Sequence, residues 1–121
     1  MEPETINLQE KFSLFSEHYK PHIIGGVNDC YIKVVKLQGE FLWHHHEHED
    51  ELFLVVKGVL RMKFRDHESV IRAGEFIIVP RMVEHLPIAD DEVHVVLIEP
   101  KSTLNTGNVT NERTVARLES I

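Results

Sequence analysis

Between Tyr31 and Ile98 the apolar residues recur with a period of two, in short runs cut by turn residues, and that rhythm admits few folds other than an all-β one. Leu60, Met62 and Phe64 alternate with Arg61, Lys63 and Arg65, the signature of a strand with one buried face. Tyr31 to Leu37 is rich in β-branched and aromatic residues and stops at Gly39. Leu52–Val56, Val70-Ile71, Phe76–Val79 and Val93–Ile98 supply further strands. Their separators are Lys57-Gly58, Asp66-His67-Glu68, Ala73-Gly74-Glu75 and the acidic Asp90-Asp91-Glu92. Strands at this spacing predict a β-sandwich or barrel over about residues 28–100.

The flanks read differently. Asn7 can cap a short helix whose Leu8, Phe12 and Phe15 recur at helical spacing, with Tyr19 continuing the stripe and Pro21 closing it; residues 1–25 are expected to form a lid or a dimer arm. From Lys101 onward Asn, Thr and Gly accumulate, which predicts a weakly ordered polar tail over 101–121. With 121 residues the whole chain fits one domain.

Chemistry concentrates in one place. Trp43 to Glu51 holds four of the nine histidines and four carboxylates. Imidazole and carboxylate suit a borderline divalent cation, and alternate residues of an extended chain point to one side, so His44 and His46 can share an ion. A solvated charged loop is the competing reading of such a run, whereas a purification tag is not: the run is internal and interrupted by glutamates. A second signal lies downstream, where the strand ending at Val79 and Pro80 runs into a turn that presents His85.

Together these residues resemble the cupin family. Gly39, His44, His46, Glu51 and Gly58 follow its first motif, with four residues between His46 and Glu51 and six between Glu51 and Gly58; the four residues between Gly39 and His44 are one fewer than usual. Gly74, Pro80 and His85 follow the second motif, although Met82 stands where it has glycine and Ala89 where it has asparagine. The resemblance covers about residues 28–100 and implies a double-stranded β-helix, or jelly-roll barrel, preceded here by the short helix. It also implies one divalent transition metal (iron, manganese, nickel or zinc) held by His44, His46, Glu51 and His85, with one or two positions left open.

The spacing has a physical logic. His44 and His46 share a face, Glu51 opens the next strand with Phe53 and Val55 on its inward side, and His85 arrives from a neighbouring strand. His45 should point away, and His48 falls in the turn. His18, His22 and His67 are expected in solvent; Trp43 should pack outside, and Glu84 should lie on the surface. Met62 and Phe64 belong to the core. Arg61 and Arg81 are the only candidates for clamping an anionic substrate.

A small-molecule ligand is therefore expected, handled by a metal-dependent dioxygenase or isomerase; the alternative is a non-catalytic small-ligand-binding or sensor module. A metal that merely stiffens the barrel is the third, least economical reading. Formal net charge is -7 without a basic cluster, which argues against nucleic acid and an anionic membrane surface as partners. The single cysteine, Cys30, suits a reducing compartment, so a cytoplasmic location is expected. An apolar outer face carrying Leu52, Leu54 and Val56, covered by the helix of a partner, predicts a homodimer.

Overall fold

The computed structural model describes residues 2–121. One helix, α1 (Leu8–Phe12), precedes seven strands: β1 (His22–Val27), β2 (Cys30–Glu40), β3 (Glu51–Lys57), β4 (Val59–Lys63), β5 (Glu68–Arg72), β6 (Phe76–Val79) and β7 (Leu86–Pro100). All pairings are antiparallel, in the order β1-β2-β7-β3-β6, with β4 joining β7 and β5 joining β4. This is the expected all-β barrel with one short N-terminal helix.

β7 binds the two halves of the barrel together. Its start, Leu86–Ile88, pairs with β4, while Val93–Ile98 lies between β2 and β3. Asp90-Asp91-Glu92, expected to separate two strands, is instead the exposed corner where this single strand bends. The corner is crowded: a Cβ on Gly58 would come within 2.9 Å of the Glu92 carbonyl oxygen, and Gly58 has φ +89°, so the β3–β4 turn fits against β7 only with glycine there. β1 was not expected either, because Gly25-Gly26 reads as a break; there the register with β2 shifts, and the strand bulges instead of ending.

Alternation then sorts the side chains. Val35, Leu37, Phe53, Val55, Leu60, Met62, Ile71, Val79, Val93, Val95 and Leu97 fill the interior. Their opposite-parity neighbours Val34 and Val96 form an outer cluster with Phe12, against which Leu8, Phe15, Ile24, Ile32, Leu54 and Ile121 pack.

α1 is shorter than its periodicity suggested. Asn7 caps it, its side chain accepting from the Glu10 amide at 2.9 Å, but the Ser13 hydroxyl donates back to the Glu10 carbonyl at 2.6 Å and the helix stops at Phe12. Phe15 turns onto His22, and Tyr19, at φ +57°, swings into the barrel mouth and donates to the Gly39 carbonyl at 2.6 Å. The helix packs on the sheet of its own chain, so Leu54 is covered within the protomer. His22, expected in solvent, is buried beneath Phe15.

The polar tail is held along its length. Ile121 and Glu119 bond to Ile23 of β1, and Arg113 donates to the carbonyls of Glu40 and Phe41 while its guanidinium covers the ring of Phe41. Asn and Thr side chains satisfy the tail's own turns, as when Asn105 bonds to both Arg113 and Val115. A segment without apolar periodicity is thus fixed by polar contacts. Among the described residues no helix is long and apolar enough to cross a membrane.

Candidate metal centre

His44, His46, Glu51 and His85 meet inside the barrel, all buried, with one ligating atom from each lying within 4.8 Å of the others. Backbone pairing brings them together. His44 and His85 form an isolated two-residue bridge, the His44 amide donating to the His85 carbonyl at 3.1 Å and the His85 amide to the His44 carbonyl at 2.9 Å. The Met82 amide donates to the His46 carbonyl at 2.7 Å. Met82 does so at φ +70°, so the turn keeps the left-handed conformation that the motif normally assigns to glycine. Ala89, the other departure, is buried opposite Gly39.

Two rings are fixed by the same device. Nδ1 of His44 lies 2.9 Å from the Leu42 carbonyl, and Nδ1 of His85 lies 2.9 Å from the Val83 carbonyl. A carbonyl only accepts, so in the neutral ring Nδ1 carries the hydrogen and the Nε2 lone pair is free for a cation. His46 Nε2 stands 3.2 Å, and His85 Nε2 3.5 Å, from Glu51 Oε1. These three atoms are buried and have no hydrogen-bond partner among the described residues. Ligands about 2.1 Å from a common ion at tetrahedral to octahedral angles would be separated by roughly 3 to 3.4 Å. The residues present therefore fit a metal ion, and the donor set, three nitrogens and one oxygen, suits a divalent transition metal.

The electrostatics agree. Burial, aided by the neighbouring His85, lowers the His44 pKa to about 4, which keeps the ring neutral. Burial alone would raise Glu51, but the adjacent Glu99 carboxyl and the nearby imidazoles of His46 and His85 outweigh it and hold the carboxyl well below the usual range. Glu99 moves the other way: burial and the adjacent Glu51 raise it, and Lys33 only partly compensates. The pair thus settles with the charge on Glu51.

Two spaces adjoin the four residues. A narrow cavity of about 40 Å³ runs inward past His44 and Glu51, walled by Val35, Leu37, Phe53 and Leu97, and by Tyr19 and Phe41, whose rings stack at 4.5 Å; Glu99 and Asn105 are its other polar members. A polar cleft of about 360 Å³, lined by His46, Glu47, Glu49, Ser102 and Asn108, opens on the outer side. The tail forms one wall of it. Asn108 exchanges two hydrogen bonds with the His45 backbone, at 2.8 and 2.9 Å, and a Cβ on Gly107 would collide with the His45 carbonyl oxygen.

The other candidates lie elsewhere. His45 is half-buried and points away from the four; His48 is exposed beside Glu47. Arg61 binds Glu68 and Asp90, and Arg81 binds Asp50, all at the surface, so neither serves as a clamp. Trp43 lies under the Arg65 guanidinium, 3.8 Å from its ring centre, and Glu84 pairs with the same arginine. Lys33, Glu99 and Asn108 escaped the sequence reading, which placed Tyr19 on the helical stripe and not at the site. Of those three only Glu99 left a trace, by continuing the inward parity of Val93, Val95 and Leu97.

A family model described as "Cupin domain" matches residues 32–99. The uncharacterized protein YdbB of Bacillus subtilis (strain 168) is 35% identical over 79 residues, which are 64% of this chain and 64% of that protein's length. A cupin-2 domain containing protein from Shewanella frigidimarina is 45% identical, with a TM-score of 0.78 over 79% of this chain and 94% of that one. Protein NMB1881 from Neisseria meningitidis is 34% identical, with a TM-score of 0.74 over 81% of this chain and 100% of that one.

Proposed function

Because the chain belongs to the cupin family, we propose that it binds one divalent transition metal (iron, manganese, nickel or zinc) through His44, His46, Glu51 and His85, and that it acts on a small molecule there as a dioxygenase or isomerase. One observation carries the reading: three buried ligating atoms, His46 Nε2, Glu51 Oε1 and His85 Nε2, converge without a hydrogen-bond partner. Leaving such groups unpaired costs about 1 to 3 kcal/mol each, and a cation held among the three would satisfy them together.

When bound, the ion supplies Lewis acidity, or redox chemistry if it is iron or manganese. The protein's own residues set the conditions. Three imidazoles and one carboxylate would leave a divalent ion a net positive charge toward a ligand oxygen, and the Nδ1 contacts of His44 and His85 keep their Nε2 atoms aimed. Burial raises the pKa of Tyr19, so its phenol stays protonated and donates to Gly39. The aromatic pair Tyr19 and Phe41 keeps bulk water off the inner side, while the polar cleft admits the ligand.

A second reading, a non-catalytic small-ligand-binding module, is favoured by one feature: no lysine or arginine lines either space, so an anionic substrate finds no clamp beyond the metal. Oxygen uptake or turnover with small keto, enol or sugar compounds separates the two. Turnover that disappears in Glu51→Ala and His85→Ala supports the enzyme. Tight binding without turnover across the panel replaces it with the binding module, and a purified protein without metal removes both.

A further inference from the structure

Lys33 and Glu99 are the anomaly of the interior. Each is only 2% exposed, and Lys33 Nζ lies 2.7 Å from Glu99 Oε1. Strand register explains where they stand. Leu52 pairs with Ile98 and Phe53 with Leu97, so Glu51 and Glu99 are the next pair along, both on the inward parity. On the other flank Lys33 pairs with Leu97, one inward position from Glu99, and reaches it diagonally. Lysine, glutamate and the ligand Glu51 therefore form a row across β2, β7 and β3. Glu99 Oε2 has no hydrogen-bond partner among the described residues, and the two carboxyl groups wall the same cavity beside His44.

A buried lysine–carboxyl pair is a poor stabiliser, because desolvation offsets its attraction and an apolar pair of similar volume often serves the fold as well or better. This one sits against the one anionic ligand of the site. We infer that Lys33 and Glu99 are positioning residues for the metal: Lys33 anchors Glu99, and Glu99 restricts the rotamer of Glu51 so that Oε1 faces His46 and His85. The inference rests on the metal reading above and deepens it. It assigns the pair no contact with the ion.

The test measures Zn²⁺ and Co²⁺ affinity by competition with a chromophoric chelator, together with urea unfolding of the metal-free proteins and the visible spectrum of the Co²⁺ forms. Lys33→Met/Glu99→Leu is expected to bind about 10- to 100-fold more weakly, the usual cost of losing an outer partner of a ligand, with a shifted Co²⁺ spectrum and an unfolding midpoint no lower than wild type. Glu99→Gln with Lys33 kept, in which the new amide can accept from Lys33 and donate to Glu51, is expected to bind within roughly threefold of wild type. Wild-type affinity in the leucine variant overturns the inference while leaving the metal centre standing. Equal losses in the leucine and glutamine variants overturn it too, since a side chain that keeps both contacts would then fail to position Glu51. If wild type binds neither ion, the metal reading fails and this inference fails with it. Should the leucine variant not fold, Lys33→Met/Glu99→Met fills the same volume with adaptable side chains and is judged by the same criterion.

Discussion

The metal-free protein should lose stability in mild acid through His44, and the size of the loss follows from its burial. Enclosure by the barrel, with His85 beside it, lowers the pKa of this imidazole from 6.5 to about 4. Between those values the unfolded chain binds a proton on His44 and the folded chain does not, so acid favours unfolding across that window. The contribution is complete above pH 6.5, declines as pH falls to 4, and is flat below, where both states are protonated. At about 1.4 kcal/mol per pH unit, the window is worth about 3 kcal/mol. Urea unfolding of metal-free wild type and His44→Gln at half-unit steps from pH 7 to pH 3.5 isolates the effect, because much of the contribution of other titrating groups, including Glu51 and Glu99, cancels in the difference. The stability difference between the two proteins should change by about 3 kcal/mol with its midpoint near pH 5. A difference flat to within about 0.5 kcal/mol, the ordinary limit of additivity, would show that His44 is not desolvated as described.

Other expectations are simpler to check. Met82 adopts φ +70° with its side chain exposed, so Met82→Gly should relieve about 1 kcal/mol of backbone strain, partly offset by the freer unfolded chain, and raise the Tm slightly; a lower Tm would refute the strain. Gly107→Val should lift the tail from His45, which would appear as faster proteolysis beyond residue 100 and a loss of about 1 to 2 kcal/mol from the two Asn108 bonds; unchanged proteolysis contradicts the docking. For assembly we expect a homodimer closed over β6, a strand at the end of the sheet whose Phe76 and Ile78 are 59% and 53% exposed; light scattering should give twice 14.1 kDa for wild type and the monomer mass for Phe76→Lys/Ile78→Lys. A monomeric wild type at micromolar concentration would refute it.

How much was legible in the sequence depended on whether a residue's role was local. The parity that turns Glu51, Phe53 and Val55 inward is a property of one extended chain, and it holds in the fold. Leu60 and Met62 were readable for the same reason. His85 was found because a turn signal marked its place, and the positive φ of Met82 shows the turn forming without its glycine. What failed to show was long-range. Lys33 looks like a solvated lysine in an alternating strand until register sets Glu99 beside it. The bend of β7 through Asp90-Asp91-Glu92 depends on two different neighbours at its two ends, which no window of sequence contains. The tail misled because its order comes from side-chain amides and from Arg113 on Phe41, not from apolar periodicity. Tyr19 kept the helical stripe in sequence yet left the helix to close the barrel mouth.

Anomalous scattering from crystals of the protein as purified reads out whether His44, His46, Glu51 and His85 hold one metal ion. Difference maps collected on either side of the iron, nickel, manganese and zinc edges should show one peak per chain, about 2.1 Å from the Nε2 atoms of His44, His46 and His85 and from a carboxylate oxygen of Glu51. That peak should be missing in His44→Ala/His46→Ala. A peak elsewhere, or none in wild-type crystals grown without chelator, would show that these four residues are not a metal site.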